Sequence, residues 1–409
     1  MALHGPTAVW AAARRGAHAV LRQAHRSSRL SRPRPAAIRN VLVSGYTGLG
    51  HMVLRSVLIA QVEELYSGAT VTVIAGNSYG TEHVFHRRPV LVLPQDAGLF
   101  RKLRFFVKLR RRRFDAALLT FDATPGFLIW GCLIAGIPIR IGHVAGAAVP
   151  DYYFTTCVPL RRGGPRSEID LNLDLLEAMR GSPFERRYDP VVDLDEDTDV
   201  LGQYGLKAGE YITVQIGAAN GLPTPKRWLP GYFRELLLRL LAEHPSLEIV
   251  ALGDRGDLSL VERVCAGIEA SRLKVVAGRI GVPETKALIA RCRFLVCHDS
   301  GLLHLGNALG ASVLALYGPS DPDVYMRRLA TCHILQERCD CPRLGLFPGA
   351  ESPDEAGAAA RCPVPECMRR LTVDRVFDEC TALLNGRPQA AARDAAAHRP
   401  GNSCSQGLA

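Results

Sequence analysis

No apolar run in this 409-residue sequence is long enough to cross a bilayer, where a helix needs about 20 residues. The longest, Phe127 to Pro138, reads as a buried helix. Acid is missing from the first forty positions, which hold eight arginines at 14, 15, 22, 26, 29, 32, 34 and 39. The net charge is +10, and removing those eight leaves +2, so the basicity belongs to a leading arm more than to the fold. That arm also lacks the continuous apolar region of a secretory signal. It reads as a disordered or membrane-surface segment, with a cleaved, Arg-rich presequence as the other reading. Paired CxxC motifs are absent as well. Of the twelve cysteines, Cys339, Cys341, Cys362 and Cys367 have a spacing able to hold zinc. CxC followed by CxxxxC is a looser pattern than the paired motif, and free thiols in a reducing compartment are the default.

What is present is ordinary for a soluble globular protein, with 47% hydrophobic and 22% charged residues. The length exceeds what one core sustains, so two domains with appendages are expected. Short β-branched or apolar runs at Asn40–Ser44, Thr70–Ala75, Val90–Leu93, Ala116–Thr120 and Ile137–Ile141 alternate with helical stretches such as Met52–Leu65 and Gly126–Ala135. Ile169–Met179 patterns as an amphipathic helix, and the acidic stretch Tyr188–Asp199 as the linker. A second series follows, with strands at Tyr211–Ile216, Glu248–Leu252, Lys274–Ala277, Phe294–Cys297 and Ser312–Tyr317. Its helices are Tyr232–Glu243, Leu260–Ala270, Glu284–Arg291 and Leu302–Leu309. Such alternation implies α/β domains with parallel sheets covered on both faces.

Arg101 to Arg113 (RKLRFFVKLRRRR) carries eight Lys or Arg, with Leu103, Phe106, Val107 and Arg110 at helical spacing. Two readings stay open: a helix that lies on anionic headgroups or meets a phosphorylated acceptor, and a solvated face packed by its apolar stripe. No nucleic-acid-binding module or aromatic interleaving accompanies the charge, so nucleic acid is not an expected partner.

The most informative stretch is Val296 to Pro322, VCHDSGLLHLGNALGASVLALYGPSDP. An apolar strand breaks at His298-Asp299-Ser300-Gly301, and helical spacing resumes from Leu302 to Leu309. The amides of Ser300, Gly301, Leu302 and Leu303 lack partners inside such a helix, and its dipole adds partial positive charge there. A phosphate suits that position, with Gly301 letting an anion approach the backbone. The first turn, Gly45-Tyr46-Thr47-Gly48-Leu49-Gly50-His51, is also rich in glycine. Its order is G-x-x-G-x-G and no acid ends the second strand, which argues against a dinucleotide site.

Asp299-Ser300-Gly301-x-x-His304, Ala308-Leu309-Gly310 and Gly318-Pro319-Ser320-Asp321-Pro322 together resemble the donor-binding signature of glycosyltransferase family 9, the ADP-heptose:lipopolysaccharide heptosyltransferases and their relatives. The resemblance covers about Asn40 to Leu384 and implies the GT-B architecture, two doubly wound Rossmann-like domains facing across a cleft. The expected divisions are a basic arm (1–37), an acceptor-side domain (38–190), a nucleotide-sugar domain (200–335), a Cys-containing segment with a closing helix (336–385) and a disordered tail (386–409).

The implied activity is inverting, metal-independent glycosyl transfer without a cofactor, from a nucleotide-sugar (ADP-heptose) to a glycan or lipid-linked acceptor. The expected location is cytoplasmic, and the basic arm and the 101–113 helix suggest peripheral contact with an anionic membrane at its inner face. Where the family has an aspartate thought to deprotonate the acceptor, this sequence has His51. Imidazole is a competent base near neutral pH. The alternatives are another base such as Asp122, a different acceptor, or a catalytically impaired nucleotide-sugar-binding or scaffold protein. Gly48 and Gly50 fall in the acceptor-side loop. Gly217 begins a turn leading to Lys226-Arg227-Trp228, whose lysine is expected to meet the donor phosphates. Asp257 matches an acid that holds the ribose, and Asp299 and His304 are assigned to donor sugar or phosphate. Asp193-Leu194-Asp195 and Asp321-Pro322-Asp323 are not read as the metal site of the other large glycosyltransferase class.

Overall fold

The computed structural model describes residues 38–76, 84–85, 88–121, 124–144, 154–160, 167–194, 198–218, 224–269, 271–322, 331–337 and 366–386. The expectations for the basic arm, for Asp122, for Cys339, Cys341 and Cys362, and for nearly all of the tail lie outside the described residues.

Twelve strands among them form two six-stranded parallel sheets. The first contains β1 (Asn40–Gly45), β2 (Thr70–Ala75), β3 (Val90–Val92), β4 (Ala116–Leu119), β5 (Ile139–Val144) and β6 (Thr156–Pro159), in the order β3-β2-β1-β4-β5-β6. Around it lie α1 (Leu49–Leu65), α2 (Leu99–Leu109), α3 (Gly126–Ile134) and α4 (Glu168–Arg180). The second contains β7 (Tyr211–Gln215), β8 (Glu248–Leu252), β9 (Leu273–Val275), β10 (Leu295–His298), β11 (Val313–Tyr317) and β12 (Cys332–Gln336), in the order β12-β11-β10-β7-β8-β9. Its helices are α5 (Val200–Tyr204), α6 (Pro230–Glu243), α7 (Leu258–Cys265), α8 (Val282–Arg291), α9 (Gly301–Ala308), α10 (Glu366–Arg370) and α11 (Val373–Leu384). Counted from its own first strand, each sheet runs 3-2-1-4-5-6. The expected pair of doubly wound domains is therefore present.

Strands such as Val41–Val43 and Val313–Tyr317 are apolar without alternation because helices cover both of their faces. Each sheet has one more strand than the apolar runs suggest. The additions, β6 (TCVP) and β12 (CHILQ), are edge strands whose residues are mostly half-buried and whose sequences mix polar with apolar. Helix α7 ends at Cys265, five residues before the expected Ala270, and Gly267 follows in the left-handed region (φ 70°).

The two domains share part of their core. One apolar cluster contains Val53 and Val57 of α1 together with Leu288 of α8 and Leu303 and Leu305 of α9. Each such side chain, when buried, stabilises by about 1.5–3 kcal/mol. The closing helix α11 packs Val376, Phe377 and Cys380 into the second domain's own cluster with Leu236 and Leu240 of α6. The connection 183–194 has neither helix nor strand and is tied to both sides. The Lys286 ammonium in α8 donates to the Asp193 carbonyl (2.6 Å), and Arg88 lies 3.6 Å from the Asp193 carboxylate.

Candidate active site

In an open sheet of this topology the strand order reverses between the first and fourth strands, and the connections leaving those carboxyl ends diverge to leave a crevice. The turn after β1 leads into α1, and the turn after β10 leads into α9. Between them lies a cleft of about 700 Å³. Thr47 to His51 line it from the first domain, and Gln215, Lys226, Asp257, Asp299 to Leu302 and His304 line it from the second.

Two helix starts thus meet in one place, and neither is capped by a side chain. Gly48, the residue before α1, has no side chain to offer. Ser300, before α9, donates its hydroxyl to the side-chain amide oxygen Oε1 of Gln215 (2.6 Å) instead of accepting from the helix amides. Among the described residues the Ser300, Gly301 and Leu302 amides donate to no protein carbonyl. The Leu303 amide, expected to be open with them, donates to the Ser300 carbonyl at 3.1 Å. Three orphan donors and a helix dipole therefore remain at the cleft wall, the arrangement that binds anions.

Gly301 does not serve as an open approach for a ligand. A Cβ there would lie 3.1 Å from Leu49 Cβ and 3.2 Å from the Gly50 nitrogen. A Cβ on Gly50 would lie 2.7 Å from His304 Cδ2 and 3.1 Å from Gly301 Cα. These two glycines are small because the helix ends abut. Around Gly48, by contrast, nothing lies within contact distance of an added Cβ.

Behind the α9 start sits a buried polar group. Lys226 Nζ is 3.2 Å from Asp299 Oδ2, with side-chain exposures of 14% and 4%. Burial opposes ionisation of Asp299, but Lys226 foremost, then His304 and Ser320, outweigh it and hold the carboxyl below its ordinary value. The lysine is thus already in contact with an anion. Burial pushes His304 down to about 4, against the opposing pull of Asp299 and helped by His51 and Lys226. His298 at the end of β10 falls to about 3, again chiefly through burial. Its Nε2 accepts from the Trp228 amide (2.9 Å), and the Trp228 indole donates to the Leu371 carbonyl (2.8 Å). The buried tryptophan fixes the turn carrying Lys226. Arg227 steadies it further by donating to the Ala218 carbonyl (2.9 Å).

On the opposite wall His51 stands in the first turn of α1 with its side chain 37% exposed. Its Nδ1 is 2.6 Å from Oε2 of Glu168, a carboxylate with no exposure at the first position of α4. A reciprocal capping box between Ser167 and Asp170 sets that helix start. An ionised carboxylate only accepts, so opposite it Nδ1 is the nitrogen that carries the proton. Glu168 is the functional candidate that sequence reasoning missed. It is 117 positions from His51, and no spacing rule connects them.

The remaining expected residues divide. Asp257, just before α7, is buried at 2% and lies against Gly217, where an added Cβ would be 1.9 Å from its Cγ. Gly217 is therefore required by this acid, which is also among the residues that line the cleft. Asp254 holds the turn by accepting from the Gly256 and Asp257 amides at 2.7 and 3.0 Å. Thr120 and Thr124, on either side of Asp122 in sequence, are both bonded to the Ser44 hydroxyl. Cys367 lies in the apolar core of the second domain at 1% exposure. Among the described residues no group of three His, Cys, Asp or Glu side chains is placed to hold a metal ion.

Comparison with known proteins agrees with this geometry. The family described as glycosyltransferase family 9 (heptosyltransferase) matches residues 102–338. That range includes the second wall of the cleft and begins after His51. The chain is 33% identical over 101 residues to lipopolysaccharide heptosyltransferase 2 of Salmonella typhimurium, covering 24% of this chain and 28% of that protein. It is 24% identical over 310 residues to lipooligosaccharide heptosyltransferase 2 of Haemophilus ducreyi, covering 69% and 84%. Its fold matches the solved ADP-heptose lipopolysaccharide heptosyltransferase II of E. coli with a TM-score of 0.67, at 20% identity over 85% of this chain and 99% of that one. A family 9 glycosyltransferase of Veillonella parvula gives the same score at 19% identity, over 87% and 99%. With two six-stranded parallel sheets in GT-B arrangement and a family match across more than half its length, the chain belongs to glycosyltransferase family 9.

Proposed function

We propose that this protein is an inverting glycosyltransferase that moves a sugar, heptose from ADP-heptose foremost, onto a hydroxyl of a glycan or lipid-linked acceptor in the cytoplasm. One observation carries the reading: a carboxylate-held imidazole, His51 on Glu168, shares a cleft with the uncapped start of α9. The acceptor O–H proton passes to His51 Nε2 as its oxygen attacks the anomeric carbon. The new C–O bond forms opposite the diphosphate, and the bond from the anomeric carbon to the phosphate oxygen breaks with its electron pair leaving on the nucleoside diphosphate. Glu168 stabilises the imidazolium that results. In this reading Lys226 and the Ser300, Gly301 and Leu302 amides take up the negative charge that develops on the leaving group, which their shared place on the cleft wall supports.

ADP-heptose as donor rests on the names of the similar proteins, and ADP release with an added acceptor is the expected result of a nucleotide-sugar panel. ADP-heptose should also raise the unfolding temperature more than uridine-linked sugars do. Since a lysine and peptide dipoles supply the countercharge in this reading, turnover should persist in excess EDTA. A second reading, a binding or scaffold descendant, is favoured by histidine standing where the family resemblance implies aspartate. It predicts thermal protection by a nucleotide sugar with no diphosphate released from any of them.

A further inference from the structure

Helix α2 presents a surface that the cleft chemistry does not use. Phe106 is fully buried and Leu109 nearly so. Phe106 is seated in α3 at Gly131, where a Cβ would come within 2.2 Å of its ring. That anchor sets the rotation of the helix and turns the opposite face outward. Val107, expected in the packed apolar stripe, is instead 59% exposed, Phe100 is 88% exposed and Leu99 61%. At 100° per residue, Phe100, Arg104, Val107 and Lys108 share one face, and Arg111 continues it. All are exposed. No acid occurs from Leu99 to Arg113, and among the described residues no ion pair engages Arg101, Arg104, Lys108 or Arg110 to Arg113. Arg113 closes the segment in the left-handed region (φ 51°), the only such non-glycine residue described.

We propose that the outer face of α2 docks the protein on an anionic lipid bilayer, with Phe100 and Val107 inserted among the headgroups and the flanking Arg and Lys paired with lipid phosphates. Charge complementarity selects this occupant. A second copy of the chain would set like charges face to face, and a nucleic-acid backbone offers nothing to cover exposed Phe, Leu and Val side chains. The placement also joins this surface to the cleft. Helix α2 follows β3 and so starts on the carboxyl edge of the first sheet, the edge whose β1 turn forms the first wall. Lys102 Nζ lies 4.2 Å from the Phe127 ring centroid, and Phe127 stacks edge-on at 5.4 Å against Tyr46 of the glycine-rich turn. A bilayer on this face would bring lipid-linked hydroxyls to the first wall.

The test is co-sedimentation of the full chain with vesicles of phosphatidylcholine, alone or with about a quarter phosphatidylglycerol. The protein should partition onto the mixed vesicles only. Arg104→Glu/Lys108→Glu/Arg111→Glu should weaken partition by at least about a hundredfold, and Phe100→Ser/Val107→Ser by about tenfold, with unfolding temperatures like the parent's. As an independent readout, emission from Phe100→Trp should gain a blue-shifted component on mixed vesicles. Partition unchanged in both multiple variants would overturn the proposal by assigning binding elsewhere, the basic arm included. So would equal retention on duplex DNA that Phe100→Ser/Val107→Ser leaves intact, parent-like binding in the presence of competing inorganic phosphate with no preference for phosphatidylglycerol, or a dimer in solution that the same variant abolishes.

Discussion

The two domains share one strand order but finish their central turns differently. In the second, the turn after β10 sits on buried polar groups: Lys226 against Asp299, a neutral His304, and His298 locked to the Trp228 amide. In the first, the turn after β1 carries glycines and a half-open histidine braced by one buried carboxylate. The second wall is held by several buried polar contacts, whereas the first leaves His51 partly exposed on a single buried carboxylate contact. The same topology can thus make a fixed socket or an accessible one, depending on how many polar side chains are buried behind the turn.

Removing the first wall's supported group should separate the two most sharply. His51→Ala is expected to lower kcat by about 10²–10⁴-fold while leaving the donor Kd within about twofold, as read by turnover beside calorimetric binding. Glu168→Gln should lower kcat less and move the acidic limb of the pH–rate profile to lower pH, because the imidazolium loses its carboxylate. On the second wall, Lys226→Met should reduce kcat/KM by about 10²–10³-fold. It should also cost about 3–5 kcal/mol of stability by stranding a buried Asp299. Lys226→Met/Asp299→Asn should restore the stability but not the donor affinity, which denaturant titration and binding measured together would reveal.

Much of this comparison was legible in the sequence, and the unread part has a physical pattern. Apolar runs marked the central strands because both of their faces are covered, and the turns at Gly45–His51 and His298–Gly301 stood out because glycine and polar residues interrupt those runs. Edge strands β6 and β12 escaped because one side of each is only half-buried. Pairings such as His51 with Glu168 or Lys226 with Asp299 join distant positions, and periodicity carries no information about them. The roles of Gly301 and Gly50 were also hidden, since sequence cannot tell a glycine that admits a ligand from one that admits another helix.

A smaller effect should come from acid. His304 titrates near 6.5 in the unfolded chain but only near 4 when folded, so between those values the unfolded state binds more protons. Stability is therefore lost as the pH falls from about 6.5 toward 4, by about 3 kcal/mol from this residue. His298 adds to the loss in the same direction, while the contribution of Asp299 fades only at still lower pH. Urea titrations at pH 7 and pH 5 should show the loss, and His304→Asn should shrink it. The smallest expected effect is Gly50→Ala, at about 1–3 kcal/mol in thermal or denaturant unfolding, from forcing a methyl between α1 and α9.

The contact between Gly50 and Gly301 has a mechanical consequence. Backbone meets backbone there, so the spacing of the two turns cannot be relaxed by any side-chain rearrangement, and a larger residue at either position would have to push α1 and α9 apart.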